Sequence, residues 1–211
     1  MDTRINCHMD KEINNNGYEY VDLGLPSGTL WATCNVGADK PTDFGLYFQW
    51  GDTKGYAKDQ VGKDKQFHWN DYKWNPLGDC KTFTKYISAG EALELEDDAA
   101  RINMGGDWHM PAPYQIRELI DNTTSEWVIL DGVNGRLFTS KKDKSKSIFI
   151  PATGMVWDGS LYFSGIDGFV WSSMIDTNFV LSGQFLYFDK GRTFTSYHTR
   201  SYGLSVRGVI G

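Results

Sequence analysis

The residue types that most often carry out chemistry are thinly spread along this chain. Its cysteines are Cys7, Cys34 and Cys80, which fall at no spacing typical of a zinc site, and three cysteines cannot all pair in disulfides. The histidines are equally scattered, at His8, His68, His109 and His198. We therefore expect neither a structural metal nor a disulfide framework. Cys34 follows an apolar run and is expected to be a buried thiol.

Acidic residues offer little more for catalysis. A glycoside hydrolase needs two carboxylates facing each other across a cleft, whereas Asp97 and Asp98 are adjacent at the expected start of a helix. Carboxylates in that position usually cap the helix or face solvent. Asp107 and His109 flank a tryptophan without any nucleophile motif, and His109 is expected to pack or to hydrogen-bond. The chain is therefore predicted to be a binding protein and not an enzyme.

Eight tryptophans could provide a platform for sugar rings. Three of them lie in apolar contexts and are expected in the core: Trp31, Trp108 and Trp171. Trp69 and Trp74 are better surface candidates. The triplet Trp69–Asp71 is similar to part of a calcium-dependent lectin site, but it is short and stands in the wrong part of the chain for that site. We predict no cofactor and no metal.

Charge and hydropathy exclude two classes of partner. The net charge of −6 excludes a generally basic nucleic-acid binder, and the one basic run, Lys141–Lys146, is expected to be a solvated hairpin turn. No stretch is long and apolar enough to span a membrane, and the first residues lack the apolar core of a secretory signal. We expect no nucleic acid and no membrane insertion, and a location on a phage virion or a bacterial cell surface.

The elements that must position any site indicate one domain. Residues 1–17 are predicted to form a flexible arm and residues 18–211 a single domain large enough to fold without cross-links. Helices are expected over Leu93–Asn103, which Gly105 and Gly106 would end, and over Pro113–Asp121. Strands are expected at Tyr18–Leu25, Thr29–Cys34, Trp127–Leu130, Arg136–Ser140, Ser147–Pro151, Gly154–Trp157, Phe169–Ser173, Phe185–Phe188 and Leu204–Ile210, and Tyr47–Gly51 is a short aromatic segment.

These elements predict an α+β fold with short strands, two helices and long ordered loops. The aperiodic segment Asp52–Lys85 is expected to be held by its own aromatic side chains. Tyr20–Leu23 is expected to pair near Ser205–Val209. The core is expected to contain Trp31, Trp108, Ile116, Leu119, Phe149, Trp171, Phe188, Leu204 and Val206.

Several long segments carry a resemblance to a known family. They are YVDLGLPSGTLWATCNVGA, YFQWGDT, LEDDAARINMGGDWHMPAPYQIRELIDN, SIFIPATG, FVWSS and YGLSVRGV, and they cover much of the chain after Gly17. In this order they resemble the Fibrobacter succinogenes major paralogous domain family of Bacteroidetes. The resemblance implies a C-type-lectin-like fold of the formylglycine-generating-enzyme type. That enzyme needs a pair of reactive cysteines, and no such motif is present here, so its activity is not expected.

Some members of this group are variable proteins of diversity-generating retroelements, carried by gut bacteria or their phages. Their template commonly has an asparagine-rich run between WSS and G-x-SVR, and here the same interval is Met174–Tyr202. Adenine-directed mutagenesis of Asn codons cannot give Lys, Glu, Gln, Met or Trp, and the candidate positions carry none of these types. The resemblance therefore implies a receptor-recognition protein with a variable C-terminal surface.

The same interval favours binding on physical grounds, because tyrosine and small polar residues make adaptable contact surfaces. Alternation along a strand would place Tyr187, Asp189, Arg192, Phe194 and Ser196 on one exposed face, with Leu186 and Phe188 facing the core. The full predicted ligand-binding set is Asp176, Asn178, Tyr187, Asp189, Arg192, Phe194, Ser196, Tyr197, His198, Thr199 and Tyr202.

The expected partner is a protein or glycan on a bacterial surface. The alternative function is a cell-surface or fimbrial adhesin domain that is not enzymatic, and a carbohydrate-active enzyme is the third possibility considered.

Overall fold

The computed structural model describes residues 12, 13 and 16–211. The described part of the chain has an α+β architecture with fourteen strands and two α-helices. The strands are β1 (Glu12–Ile13), β2 (Glu19–Asp22), β3 (Leu30–Asn35), β4 (Tyr47–Phe48), β5 (Thr123–Leu130), β6 (Val133–Ser140), β7 (Ser147–Pro151), β8 (Met155–Trp157), β9 (Ser160–Tyr162), β10 (Gly168–Ile175), β11 (Ser182–Phe188), β12 (Thr193–Thr199), β13 (Leu204–Ser205) and β14 (Arg207–Ile210).

The two helices are α1 (Ala99–Met104) and α2 (Pro113–Asn122), and 3₁₀ turns occur at Lys58–Gln60, Trp69–Asp71 and Leu95–Asp97. The first helix is shorter than predicted because Asp98 adopts extended dihedral angles and its side chain accepts a hydrogen bond from the Arg101 N–H, which caps α1. The second helix begins at Pro113, as predicted. Within the described residues, no helix has the length and apolar character needed to cross a membrane.

A four-stranded sheet in the order β1-β2-β3-β14 brings the two ends of the domain together. The turn before β3 contains Gly28 at φ 78°, a conformation that suits glycine. This turn brings β3 alongside β2. The other edge of β3 is then free to pair with β14. Tyr20–Leu23 was expected to pair near Ser205–Val209, and β2 and β14 do lie in this one sheet, with β3 between them and Trp31 opposite both Val21 and Val209.

A five-stranded sheet in the order β12-β11-β10-β13-β4 forms the centre of the domain. Its strands pair antiparallel except for β10 and β13, which are parallel. A three-stranded sheet, β5-β6-β7, and the β8-β9 hairpin complete the strands. Within the described chain β12 pairs only with β11, so the C-terminal hairpin forms one edge of the central sheet.

Two hydrophobic clusters lie on opposite faces of the central sheet. Trp171 and Phe185 belong to one cluster, while their neighbours Val170 and Leu186 belong to the other, which also contains the buried face of α2. All nine residues predicted for the core are buried to 1% exposure or less, which confirms that prediction. Cys34, expected to be buried, is only half-buried.

Aromatic side chains hold the long segment Asp52–Lys85 against the domain. The Tyr72 hydroxyl donates to the Trp50 carbonyl oxygen at 2.8 Å, and the ring of Trp69 contacts Tyr72 and Phe83. The guanidinium of Arg200 is fully buried and lies 4.3 Å from the centre of the Phe83 ring. The segment is therefore fixed by its own aromatic residues, as predicted.

Most of the predicted N-terminal arm lies outside the described residues. Of its described part, Glu12 and Ile13 pair with β2, and the Asn16 side-chain amide donates to the Met104 carbonyl oxygen at 3.0 Å. This part of the arm is in contact with the domain.

Candidate binding surface

The β11–β12 hairpin carries most of the predicted binding residues, and its register sorts them onto two faces. Tyr187 lies opposite Phe194, and Gly183 lies opposite His198, on one face. On the other face, Leu186 lies opposite Thr195, and Gln184 opposite Tyr197. Cross-strand partners share a face and alternate residues change face, so the hairpin presents two separate surfaces.

We call the first surface the aromatic face and define it by Tyr187, Asp189, Arg192 and Phe194. The ring centres of Tyr187 and Phe194 are 4.8 Å apart, and the Arg192 guanidinium lies 6.0 Å from the Tyr187 ring and 5.8 Å from the Phe194 ring. Asp189 joins the group, since it accepts from the Tyr187 hydroxyl at 3.1 Å and from Arg192 Nη2 at 2.7 Å. The result is a partly exposed aromatic patch, with half-buried Tyr187, exposed Phe194 and Arg192, and the Arg192 charge paired with Asp189.

The turn between the two strands is also fixed by Asp189. Its Oδ1 accepts hydrogen bonds from the N–H groups of Gly191 and Arg192, each at 2.7 Å. Burial alone would raise the pKa of Asp189, but these bonds and the Arg192 side chain outweigh it and hold the pKa at about 2. From strand β6, Arg136 Nη1 donates to the carbonyl oxygens of Asp189 and Arg192. The turn therefore keeps one conformation and one charge state at neutral pH.

The second surface, which we call the α2 groove, lies between helix α2 and the hairpin. Its volume is about 530 Å³. It is lined by Pro113, Tyr114, Arg117, Met174, Asp176, Thr177, Gln184, Thr195, Ser196 and Tyr197. Tyr197 is 47% exposed and its ring stacks on Phe179 with a centre distance of 5.2 Å. The groove combines exposed rings with hydroxyl, amide and guanidinium groups.

Four rings form a stack at the Thr199 end of β12: Tyr162, Trp157, Tyr202 and His198. The ring centres are 3.5 Å apart for Tyr162 and Trp157, 5.5 Å for Trp157 and Tyr202, and 4.5 Å for Tyr202 and His198. Both faces of the Tyr202 ring are thus occupied within the protein. Burial raises the pKa of Tyr202 and lowers that of His198. These two residues are held in place by the fold, and the Tyr202 ring has neither face free.

The single shared face expected from the sequence is corrected by this register. Tyr197 and Thr199 point to the side opposite Tyr187 and Phe194, because β12 stays paired with β11 as far as Ser182 and alternation continues to Thr199. Ser196 shares a face with Phe194, as predicted, and is paired there with the buried Phe185.

The two residues predicted at the margin of the site also differ from expectation in part. Asn178 is exposed, but Asp176 is only 6% exposed. The Oδ1 atom of Asp176 accepts from the N–H groups of Asn178 and Phe179, which makes it a turn residue. Asp176 lines the α2 groove but does not offer a free carboxylate.

Sequence reasoning missed the helix side of the groove. Tyr114 and Arg117 face away from the Ile116 and Leu119 side of α2, and Tyr114 is 61% exposed. The signal in the sequence that could have identified them is a tyrosine and an arginine on the polar side of an amphipathic helix. Trp157 was expected only as part of a strand, although its ring orders Tyr202.

Two clusters of carboxylates elsewhere in the described residues are held by contacts within the fold. Glu94, Glu96 and Asp97 lie close enough to share a cation, but the Lys85 ammonium already occupies that position, at 2.6, 3.1 and 2.6 Å from the three carboxylates. In the Trp-Asn-Asp triplet, Asp71 accepts hydrogen bonds from the N–H groups of Gln66, Phe67 and His68. Neither group offers free ligand atoms for a metal.

No family model matches the chain, and no curated protein or solved structure matches it either.

Proposed function

We propose that this chain is a recognition protein of the C-type-lectin-like type, similar to the Fibrobacter succinogenes major paralogous domain family, and that it is not an enzyme. It binds a protein or glycan on a bacterial surface through the β11–β12 hairpin and the residues around it. The observation that carries this proposal is the edge position of β12, which exposes Phe194 and Tyr197 on its two faces, next to the inner strand β11, which sends large side chains into the core on both faces.

The separation of scaffold and surface supports this function. The inner strand β11 sends Phe185, Leu186 and Phe188 into the two hydrophobic clusters. Gly183 allows the hairpin to lie on the tryptophans beneath it, since an added Cβ would lie 2.7 Å from the Trp50 ring. The edge strand has no fully buried side chain. Substitutions on β12 therefore change what the surface presents and leave the core intact.

The surface has the composition of an adaptable contact site. Tyrosine gives a large contact area at low conformational cost, and small polar residues supply hydrogen bonds. Phe194 and Tyr197 are 39% and 47% exposed, on opposite faces of the same strand. A ligand that meets the edge of the sheet could contact both faces.

We further propose that the chain is a variable protein of a diversity-generating retroelement, displayed on a phage virion or a bacterial cell surface. Sequencing the DNA around the coding region tests this. We expect a reverse-transcriptase gene and a near-repeat of the C-terminal coding segment. That repeat should carry Asn codons at candidate positions such as Tyr187, Phe194 and Tyr197, and should match the coding segment at the buried positions Leu204 and Val206.

A fixed-sequence adhesin is the second candidate, and the α2 groove favours it, because Tyr114 and Arg117 lie outside the C-terminal segment. Absence of a reverse transcriptase and of a repeat, together with a lipoprotein signal upstream of Met1, would establish the adhesin and exclude the retroelement. Hydrolysis of a gut polysaccharide at enzyme-like rates would overturn both.

A further inference from the structure

We infer that the α2 groove is a site for a carboxylate-bearing sugar, such as a uronic or sialic acid residue of a glycan, with Arg117 as the group that pairs with the carboxylate. This inference names a ligand class for one surface and rests on the proposed binding function.

The size of the groove suits a small ligand or one to a few sugar residues. Its volume of about 530 Å³ falls within the range typical of ligand pockets, roughly 300–1,000 Å³. One wall comes from the first turns of α2, which Ile116 and Leu119 anchor in the second hydrophobic cluster, and the other comes from β12, which is paired along its whole length with β11. The walls are therefore held in place before a ligand arrives, which lowers the cost of binding.

Arg117 is the free cation of the groove. Its side chain is exposed, and within residues 16–211 it makes no hydrogen bond and lies in no ion pair. The groove contains one carboxylate, that of Asp176, which is almost entirely buried and accepts two backbone N–H bonds. The Arg117 guanidinium is therefore the exposed charged group of the groove, whereas the Asp176 carboxylate that also lines it is almost entirely buried. A guanidinium with free N–H groups binds a carboxylate in bidentate fashion.

The other groups in the groove match the two kinds of surface that a sugar presents. Tyr114 and Tyr197 offer exposed rings that can contact the C–H face of a pyranose, and the outer side of Tyr197 is supported by Phe179. Gln184 and Thr195, which lie on the same face of the hairpin, supply amide and hydroxyl groups for sugar hydroxyls.

These groups favour a glycan over an acidic peptide. A peptide is normally anchored by an apolar side chain in an enclosed pocket, whereas the lining of this groove is mixed. Beside Pro113, Met174 and the two tyrosine rings, it carries the amide of Gln184 and the hydroxyl groups of Thr195 and Ser196. A ligand with many hydroxyl groups satisfies these polar groups better than an apolar peptide side chain does.

Isothermal titration calorimetry tests the inference with three probes: an oligogalacturonate, the same oligomer with its carboxyl groups reduced, and a sialylated oligosaccharide. We expect the wild-type protein to bind at least one acidic probe, and the carboxyl-reduced oligomer to bind at least about tenfold more weakly than its acidic parent if that parent is the ligand. Arg117→Ala should weaken acidic binding by about ten- to a hundredfold, and Arg117→Lys by less. Tyr197→Ala should weaken both acidic and neutral probes.

Lys144→Ala is the control, because it removes one exposed positive charge from the turn between β6 and β7, outside both the hairpin and the groove. Its affinity for the acidic probe should stay within about twofold of wild type, and Arg117→Ala and Lys144→Ala should both keep the wild-type melting temperature. Equal binding of acidic and neutral oligomers, equal loss of binding in Lys144→Ala and Arg117→Ala, tighter binding of a Glu-rich peptide, or no binding of any acidic probe would overturn the inference. If the protein then still binds bacterial cells, and this binding depends on Tyr187 and Phe194, the proposed recognition function holds although the acidic-sugar site does not.

Discussion

At the scale of single residues, His198 illustrates how a candidate ligand contact also serves the fold. Its ring stacks on Tyr202, and burial lowers the pKa of the imidazole below its ordinary value of 6.5. In the folded protein the ring is therefore held neutral. The unfolded chain binds a proton near pH 6.5, so stability falls as the pH drops from above that value toward the lowered pKa of the folded state.

His198→Phe should keep the stacked ring and remove the titration. We expect the free energy of unfolding of wild type to decrease more steeply than that of the variant as the pH falls from 7.5 to 5. Urea unfolding at half-unit pH intervals measures this difference. Parallel curves for wild type and His198→Phe would contradict the prediction.

The sequence predicted the position of a residue correctly where that position depends only on neighbours along the chain. Alternation placed Tyr187 and Phe194 on one face, as their cross-strand pairing shows. Asp176 was placed on the surface because its type is polar, yet its role is set by a turn that only the backbone reveals. Arg117 was missed because its exposure matters only once the hairpin lies beside α2.

At the scale of elements, the C-terminal strand β14 is linked to its neighbours by a buried arginine. Arg207 donates to the Asn35 side-chain oxygen and the Ala32 carbonyl oxygen on β3, both at 2.9 Å, and to the Phe149 carbonyl oxygen on β7 at 3.2 Å. Burial lowers the pKa of this guanidinium. One side chain thereby connects the four-stranded sheet to the three-stranded sheet.

Arg207→Met should remove these three bonds and leave their acceptors buried without partners. Because each unsatisfied buried polar group costs about 1–3 kcal/mol, we expect a loss of about 3–5 kcal/mol in the free energy of unfolding. Arg117→Met, which removes an exposed arginine without partners in the described chain, should change it by less than about 0.5 kcal/mol. Denaturant midpoints give both values, and equal midpoints for the two variants would refute the role assigned to Arg207.

The sequence predicted most strands and both helix positions because hydrophobic periodicity and glycine or proline punctuation are local signals. The β12 strand was not assigned as one, since Thr193–Thr199 alternates polar and aromatic residues without a buried face of its own. Its strand conformation comes from pairing with β11, which is a tertiary interaction. That difference is why the prediction stopped alternating at Ser196 and placed Tyr197 and Thr199 on the wrong face.

At the scale of the whole molecule, the two hydrophobic clusters share the strands β10 and β11. Trp171 lies in one cluster, and its neighbour Val170 lies in the other. The Trp171 indole N–H also donates to the Phe48 carbonyl oxygen at 2.8 Å, across the sheet. Disorder in one cluster is therefore transmitted directly to the other, and the domain should unfold in a single cooperative step.

Trp171→Ala should lower the free energy of unfolding by about 3–5 kcal/mol, through the cavity and the lost hydrogen bond. Circular dichroism in the far ultraviolet and intrinsic fluorescence should report the same midpoint for the wild type and for the variant. Ile129→Ala, at a position 67% exposed on β5, is the control and should change stability by less than about 0.5 kcal/mol. Two separated transitions, or a Trp171→Ala midpoint equal to that of the control, would contradict this picture.

The fixed ends of β12 also determine which changes in chain length the surface tolerates. The Asp189 turn sets where the strand begins, and the buried Arg200 sets where it ends. Because side chains alternate with a period of two, inserting one residue between these points would exchange the two faces for every later position, turning the His198 side chain away from Tyr202. Insertions or deletions of a single residue should therefore be far more damaging here than substitutions, so that related surfaces would differ in side chains while keeping the eleven-step spacing from Asp189 to Arg200.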